Sequence, residues 1–427
     1  MTPANRTLSR RTFARGAGAL VVSFTLPLSV RRGALAAPEM PEDAKWDPAQ
    51  QIALTPELDG WLRIDEDGQV TMFTGRVEIG NGILTALPQI VAEELDVPFD
   101  AVTVVSGDTD VVPNQGITSA TTTIGVAAVA IRQAAATARQ AALEMASEQL
   151  GVPAADLEIV DGVIQASDDP SNAITYGELI GGTEFAREVD PEAPVKNPAD
   201  YSIVGESIAR TDIPAKLTGA DGDFNENVRV DGMTHARILR APAYGAKLVS
   251  YDESVAEMPG VVAVIAIEHP GDERLARVER LETMPGDFIA VVAEREDQAL
   301  NALEALADSA EWDAGESLPA THESVYDWVL EHGQPVELVP NGDAGATPPS
   351  FEELHSEYEA GLQDAVTTHA ASYRGPYLCY GPISPAWALA DVQGDTATVW
   401  SATQWPFGAR WMVAQALGYE TSEQVRL

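Results

Sequence analysis

The chain has 427 residues, 45% of them hydrophobic and 22% charged, which is enough apolar material for a sizeable core and too much for wholesale disorder. Its 66 Asp+Glu against 26 Lys+Arg give a formal charge of −40, a surface that repels phosphate backbones and argues against nucleic acid as a partner. The one cysteine, Cys379, excludes an intrachain disulfide and any four-cysteine iron–sulfur or zinc site held by this chain alone.

Residues 1–37 read as an address. Ser9-Arg10-Arg11-Thr12-Phe13-Ala14 is a twin-arginine pattern, an apolar run from Gly16 to Val30 follows it, and Ala34-Leu35-Ala36 supplies small residues for cleavage. The run is too short for a bilayer and Pro27 interrupts it; an ordinary Sec signal or a retained anchor is the alternative, and the paired arginines with Phe13 favour Tat export across the cytoplasmic membrane, to the periplasm. These residues hold six Arg and no acid, so the exported part is more acidic than the whole.

Residues 38–58, rich in Pro and Asp, are expected as a linker. Trp61–Ile64 and Gln69–Thr74, separated by Asp65-Glu-Asp-Gly68, read as strand, turn and strand. A glycine-punctuated loop opens an amphipathic helix over Ile83–Leu95, and Val102–Ser106 reads as a buried strand. Val126–Leu150 is an Ala-rich helix with few breakers. Leu157–Val160, Asp161-Gly162 and Val163–Ala166 spell a hairpin with an Asp-Gly turn, and the polar stretch Asp190–Asp200 marks a boundary. Beyond Tyr201, strands are expected near Met233–Leu239, Val261–Ile267 and Phe288–Val292, with a helix near Asp297–Ala310. Helices over Thr321–His332 and Phe351–Asp364, a strand-rich stretch Val366–Trp400 and a helix over Ala409–Leu417 complete the chain. The pattern is α+β.

Gly75-Arg76-Val77-Glu78-Ile79-Gly80-Asn81-Gly82 places glycines around an amide side chain just before a helix N-terminus. Backbone N–H groups are expected to be free there, the helix dipole is positive, and glycines admit a close ligand. Alone, this pattern also fits a tight turn. Thr118-Ser119-Ala120-Thr121-Thr122-Thr123 precedes the long helix with more hydroxyls than capping requires, so it can line an anion pocket. Gly107-Asp108-Thr109 and Val112-Pro113-Asn114 lie just upstream. The six histidines (His235, His269, His322, His332, His355, His369) show no metal-ligand spacing, and no metal held by protein side chains is expected. Cys379, with no histidine close in sequence, reads as a buried thiol.

Taken together, Gly75–Val97, Gly107-Asp108-Thr109, Pro113-Asn114 and Thr118-Ser119 resemble the molybdenum-binding large subunit of the xanthine dehydrogenase/aldehyde oxidase family, in the isoquinoline 1-oxidoreductase (β-subunit type) branch. Ile203–Gly219 is similar to the start of that family's α/β hammerhead domain, and Val399–Gln404 to a strand leading into its next cofactor-binding part. The resemblance implies a molybdopterin-binding segment over 59–200, a hammerhead over 201–315 and the start of a second, incomplete molybdopterin-binding region over 316–427. It implies a molybdopterin cofactor with molybdenum, in the cytosine dinucleotide form. Gly80, Asn81 and Gly82 would touch the pterin and its phosphate, and Thr118, Ser119, Ala120 and Thr121 would form a second dinucleotide-binding loop.

Three departures from the family pattern stand out. Asn81 replaces a glutamine, Leu378-Cys379-Tyr380-Gly381-Pro382 replaces a stretch with a histidine, and the family's catalytic glutamate has no match before Leu427. The implied function is a subunit of an exported oxidoreductase that hydroxylates an aldehyde or N-heterocyclic aromatic with oxygen from water. With one cysteine, the chain is expected to pass electrons to a separate [2Fe–2S] subunit, and the missing half is expected from a second chain or from sequence lost by truncation. The alternative is a truncated, inactive remnant or binding module of the same fold.

Overall fold

The computed structural model describes residues 47–220, 224, 227–243, 245–268, 286–313, 319, 321–333, 350–376, 378, 381 and 385–427. The expected export signal, Cys379 and Tyr380 lie outside the described residues. The content is mixed helix and strand, in two compact units: among the described residues, 47–234 with 385–427, and 235–268 with 286–381.

In chain order the elements are α1 (Pro48–Leu54), β1 (Leu62–Ile64), β2 (Val70–Thr74), α2 (Ile83–Leu95), β3 (Val102–Ser106), α3 (Ala128–Leu150), β4 (Leu157–Val160), β5 (Val163–Ala166), β6 (Asp169–Thr175), α4 (Tyr176–Leu179) and α5 (Ile213–Thr218). The second unit holds β7 (His235–Arg240), β8 (Lys247–Ser250), β9 (Val261–Ile267), β10 (Phe288–Ala293), α6 (Glu296–Ser309), β11 (Glu311–Asp313), α7 (His322–His332) and α8 (Phe351–Asp364). The chain then returns to the first unit with β12 (Ala388–Gln393), β13 (Thr396–Ser401), α9 (Pro406–Leu417) and β14 (Val425–Arg426).

The first unit is built around a β2–α2–β3 crossover: β1 pairs antiparallel with β2, and β3 runs parallel to β2 with Thr74 opposite Ser106. A parallel pair needs such a crossover, and α2 supplies it. The core joins Trp61, Leu62, Ile64, Val70 and Met72 to Leu87, Val91 and Leu95 of α2 and to Ile131, Ala134, Ala135 and Ala138 of α3. Alanines on α3 let α2 lie close against it, so a larger side chain there would overpack the seam. The β4–β5 hairpin turns through Asp161 and Gly162 at φ 49° and 80°, the pair of positive angles a tight hairpin favours. The C-terminal piece repeats the crossover, with β12–β13 antiparallel and β14 parallel to β13.

In the second unit β10 is the central strand, with β7 and β9 antiparallel on either side. Helix α6 packs Ala302 and Leu306 against Ile289 and Val291 to make a small core.

Several expectations shift. Residues 48–54, inside the expected linker, form α1: Asp47 caps it by accepting from the Ala49 N–H, Pro48 sits at the first turn, and Gln51 and Ile52 are buried. Asp-Pro is a helix-start signal that the overall Pro/Asp richness hides. The expected polar boundary at 190–200 is fastened to the first unit: the Gln133 side-chain amide donates to the carbonyls of Asp190 and Ala193. Ser202, Ile203 and Val204 bond to Glu93 of α2, so the segment from 201 to 234 clusters with the first unit and the second begins at His235. Strand β6 carries Asp, Pro, Ser and Asn, residues poor in strand propensity, and forms because β5 offers it an edge.

Candidate functional site

Where β2 ends, the backbone is squeezed. A Cβ on Gly75 would lie 2.3 Å from the Pro113 carbonyl oxygen, so only glycine passes. The buried side chain of Gln115 holds this corner, its Oε1 accepting from Thr74 Oγ1 at 2.6 Å and from the Gly75 N–H at 3.0 Å. Arg76 follows and turns inward to complete burial. Its Nη1 donates to the Ile117 carbonyl and, at 2.9 Å, to Thr122 Oγ1. The next N–H, of Val77, donates to Thr118 Oγ1 at 3.0 Å. The glycine loop and the hydroxyl loop are thus fastened side by side, although they lie 41 residues apart.

At the N-terminus of α2 the expected free N–H groups are occupied from within. Glu78 Oε1 accepts from Gly80 at 2.7 Å and from Gly82 at 2.9 Å, and Oε2 from Leu84 at 3.4 Å. A carboxylate is the group a helix N-terminus favours, and here the chain provides its own. Arg210 Nη2 pairs with Glu78 at 3.2 Å, and Nη1 donates to the Gly80 carbonyl at 2.9 Å. Arg210 also grips Asp212, and with Lys216 it holds that carboxyl well below the usual carboxylate range against the opposing push of burial. Gly80 and Gly82 sit at φ 98° and 79°, angles that glycine adopts without strain. Asn81 is exposed between them, its amide free to face a ligand except for one long contact from the Ile79 N–H at 3.4 Å.

The hydroxyl loop divides its residues. Thr118, Thr122 and Thr123 are buried, and they brace the loop: Thr122 Oγ1 donates to the Ser119 carbonyl at 2.6 Å. Ala120 and Thr121 are exposed and both left-handed, at φ 46° and 67°. Two such non-glycine residues cost about 1–3 kcal/mol each. Thr122 returns to the right-handed region and a π-helical turn, Thr123–Ala127, leads into α3. Within this turn the Thr122 N–H donates to the Ser119 carbonyl at 2.9 Å and the Gly125 N–H to the Thr121 carbonyl at 3.0 Å, and π turns favour functional sites.

The C-terminal piece closes the back of the same loops. The Thr118 N–H donates to the Gln404 carbonyl at 2.9 Å, and Gln404 Nε2 returns a bond to the Thr118 carbonyl at 3.1 Å. Thr109 and Leu427 exchange two bonds, N–H to carbonyl at 2.9 Å and Oγ1 from the Leu427 N–H at 3.0 Å. Gly107 admits the close approach of Val77, whose Cγ1 would meet a Cβ at 2.9 Å. Gly107-Asp108-Thr109 is therefore a docking corner for residues 404–427.

The structure gathers Gly80, Asn81, Gly82 and Thr118–Thr121 in neighbouring loops of one unit. Sequence reasoning missed Arg76, Glu78, Gln115, Arg210 and Gln404. For Arg76 a local signal exists, a lone cation between strand and glycine loop in an acidic chain; the others act through distant partners.

At the other end of α2 a second polar cluster is sealed. Glu93 and Glu94 are each 1% exposed. Glu93 Oε2 accepts from Ser202, Ile203 and Val204 at 3.0, 2.7 and 2.9 Å, and Oε1 from Lys196 Nζ at 2.8 Å. Burial pushes the Glu93 carboxyl up, but Lys196 and these N–H groups outweigh it and hold it at about 2. Glu94 takes Arg132 Nε at 2.6 Å and the Lys196 N–H at 3.0 Å. A cleft of about 180 Å³ adjoins this cluster, but both carboxylates are fully engaged and the cluster serves as a fastening.

Comparison with known proteins matches residues 15–208 to the molybdopterin cofactor-binding domain family. The chain is 35% identical over 374 residues to a nicotinate dehydrogenase subunit of Pseudomonas putida, covering 84% of this chain and 28% of that protein. It is 27% identical to the beta subunit of isoquinoline 1-oxidoreductase of Brevundimonas diminuta, covering 96% of this chain and 53% of that one. A membrane-bound aldehyde dehydrogenase of Gluconacetobacter polyoxogenes, named for pyrroloquinoline-quinone, is 26% identical over 75% of this chain and 39% of its own length. The chain thus spans between a quarter and about half of these relatives. The glycine and hydroxyl loops both fall inside the matched domain, and the chain belongs to the xanthine dehydrogenase family, among its molybdopterin-binding subunits.

Proposed function

We propose that this chain is the molybdopterin-binding part of an exported molybdenum hydroxylase acting on an aldehyde or an N-heterocyclic aromatic. The observation that carries the reading is the joining of two loops by the Val77-to-Thr118 bond, with Arg76 buried beneath them. When bound, the molybdenum cofactor supplies oxidative hydroxylation, with oxygen from water and two electrons removed from the substrate.

The residues present suit such a group, with a division of labour. Asn81, exposed and able both to donate and to accept, is placed to read the polar edge of the pterin. Gly80 and Gly82 keep the backbone beside it free of side chains. The Glu78 carboxylate already fills the N-terminus of α2, so a phosphate is better received on Ser119–Thr121, where exposed backbone and hydroxyls stand over a buried cation. Thr118 and Thr122 then hold that loop in shape rather than touch the ligand. A cytosine dinucleotide tail, a hammerhead formed around the second unit, a [2Fe–2S] partner and Tat export to the periplasm belong to the same reading. The lone cysteine supports the electron partner, because no cluster can be ligated by this chain.

Purification of the chain from its native host tests this, with molybdenum and iron measured by mass spectrometry and cytidine nucleotide released by acid. About one molybdenum per chain, with an accompanying iron–sulfur polypeptide, is the expected result. A chain isolated without molybdenum overturns the enzyme reading and leaves a binding module; a molybdenum-loaded chain that reduces dyes with no partner overturns the separate electron-transfer polypeptide.

A further inference from the structure

Arg76 is fully buried, and its Nε and Nη2 have no hydrogen-bond partner. It forms no ion pair among the described residues, whereas the other enclosed cations do: Arg139 and Arg132 reach Glu94, Lys196 reaches Glu93 and Asp96, and Arg410 reaches Asp110. In a chain with 66 acidic residues, a buried guanidinium without a carboxylate is costly, since an uncompensated charge loses hydration and gains no counter-charge. Burial lowers its pKa from 12.5 to about 10, so it remains a cation at neutral pH.

Its one engaged nitrogen, Nη1, is directed at the hydroxyl loop, at the Ile117 carbonyl and Thr122 Oγ1. Holding those two oxygens needs an N–H donor and no charge. What a charge adds is a field through the loop to its outer side, where Ala120 and Thr121 are exposed. With little water between, that field is weakly screened.

We propose that Arg76 is a positioning residue that supplies the counter-charge for a diphosphate group seated on the Ser119–Thr121 face of the hydroxyl loop. The inference rests on the reading above, that this loop receives the phosphates of the bound cofactor, and it assigns the binding energy to a residue that never touches the ligand. The loop's strained backbone is held from below by the same guanidinium, so charge and shape are coupled at one side chain.

The test uses the full chain and inorganic pyrophosphate, titrated by calorimetry at low ionic strength, with thermal melting measured alongside. Arg76→Lys keeps the charge, Arg76→Gln keeps a donor without it, and Arg76→citrulline keeps the shape and the N–H groups while removing the charge. Pyrophosphate binding within about threefold of wild type in R76K, and weaker by about tenfold or more in R76Q and the citrulline variant at unchanged melting temperature, is the expected result. Should R76Q fail to fold, the near-isosteric citrulline variant decides alone. Equal affinity in the charged and neutral variants, or no uptake of pyrophosphate by wild type, overturns the inference. Equal affinities in a chain that carries molybdenum from its host would leave the cofactor reading standing. Charge-dependent pyrophosphate binding in a chain that never carries molybdenum would sink the cofactor reading instead.

Discussion

Two glutamates bracket helix α2 and do related work in opposite settings. Glu93, near its C-terminal end, collects three backbone N–H groups and an ammonium at 1% exposure. Glu78, just before its N-terminal end, collects the N–H groups of Gly80, Gly82 and Leu84 and the guanidinium of Arg210, beside exposed Asn81 and Gly80. The first end is closed over by residues 196–204 and stabilises the unit; the second is open and shapes a surface. The contrast teaches that a carboxylate ringed with donors marks a fastening when it is sealed, and a preset local field when its neighbours stay in contact with solvent.

The largest expected effect breaks the sealed end. Glu93→Ala leaves Lys196 and the N–H groups of Ser202, Ile203 and Val204 without their acceptor in a water-poor site. A loss of about 3–5 kcal/mol in urea unfolding is expected, the range for removing one partner of a buried pair. A loss below about 1 kcal/mol would show that this end is wetter than its burial implies.

The same carboxylate sets an acid limb. Its folded pKa, about 2, lies below the unfolded value of about 4.3. The group therefore binds more protons unfolded than folded, and its stabilisation is complete above about pH 4.3 and lost as pH falls toward 2. Unfolding followed across that window should show stability dropping with acid in wild type and a flatter limb in Glu93→Gln. Equal slopes would assign the acid sensitivity to other carboxylates.

How much of this is legible from residues alone depends on distance along the chain. Helix Ile83–Leu95 and the Asp161-Gly162 hairpin are legible because their signals, apolar period and turn chemistry, are local. Resemblance singles out the glycine loop and the hydroxyl loop, but not the Val77-to-Thr118 bond that joins them. The fastening of Thr118 to Gln404 spans 286 residues, and no periodicity encodes it. Asp190–Asp200 reads as a boundary because charge ordinarily signals solvation, whereas Lys196 within it is the cation that Glu93 and Asp96 require. Glu78 escapes notice because a glutamate in a glycine loop of an acidic chain looks like any other; its role is visible only once three N–H groups point at it.

Turning to the open end, Gly82→Ala forces a Cβ into a φ of 79° and should cost about 1–2 kcal/mol in the same unfolding assay. The added methyl meets only Arg210, whose Cδ is 3.8 Å away, so the loss is conformational rather than steric. Gly82→Asn, which tolerates left-handed backbone better, should recover part of it, and failure to do so would show that contact rather than backbone angle sets the requirement.

The smallest effect on stability carries the sharpest contrast. Glu78→Gln keeps an oxygen for Gly80 and Gly82 and loses the charge that Arg210 pairs with at 3.2 Å. Arg210 is the exposed partner of that pair, its side chain 30% exposed against 7% for Glu78, and Gln keeps an acceptor for the loop, so the loss should stay within about 1 kcal/mol, well short of Glu93→Ala. Removing a negative charge from a loop joined to the hydroxyl face should also strengthen pyrophosphate binding, the opposite sign to neutralising Arg76. Calorimetry on Glu78→Gln beside Arg76→Gln reads both signs in one experiment. If neutralising Glu78 weakens binding instead, the carboxylate orders the loop more than it repels the ligand, and the two ends of α2 would then differ in degree of burial only.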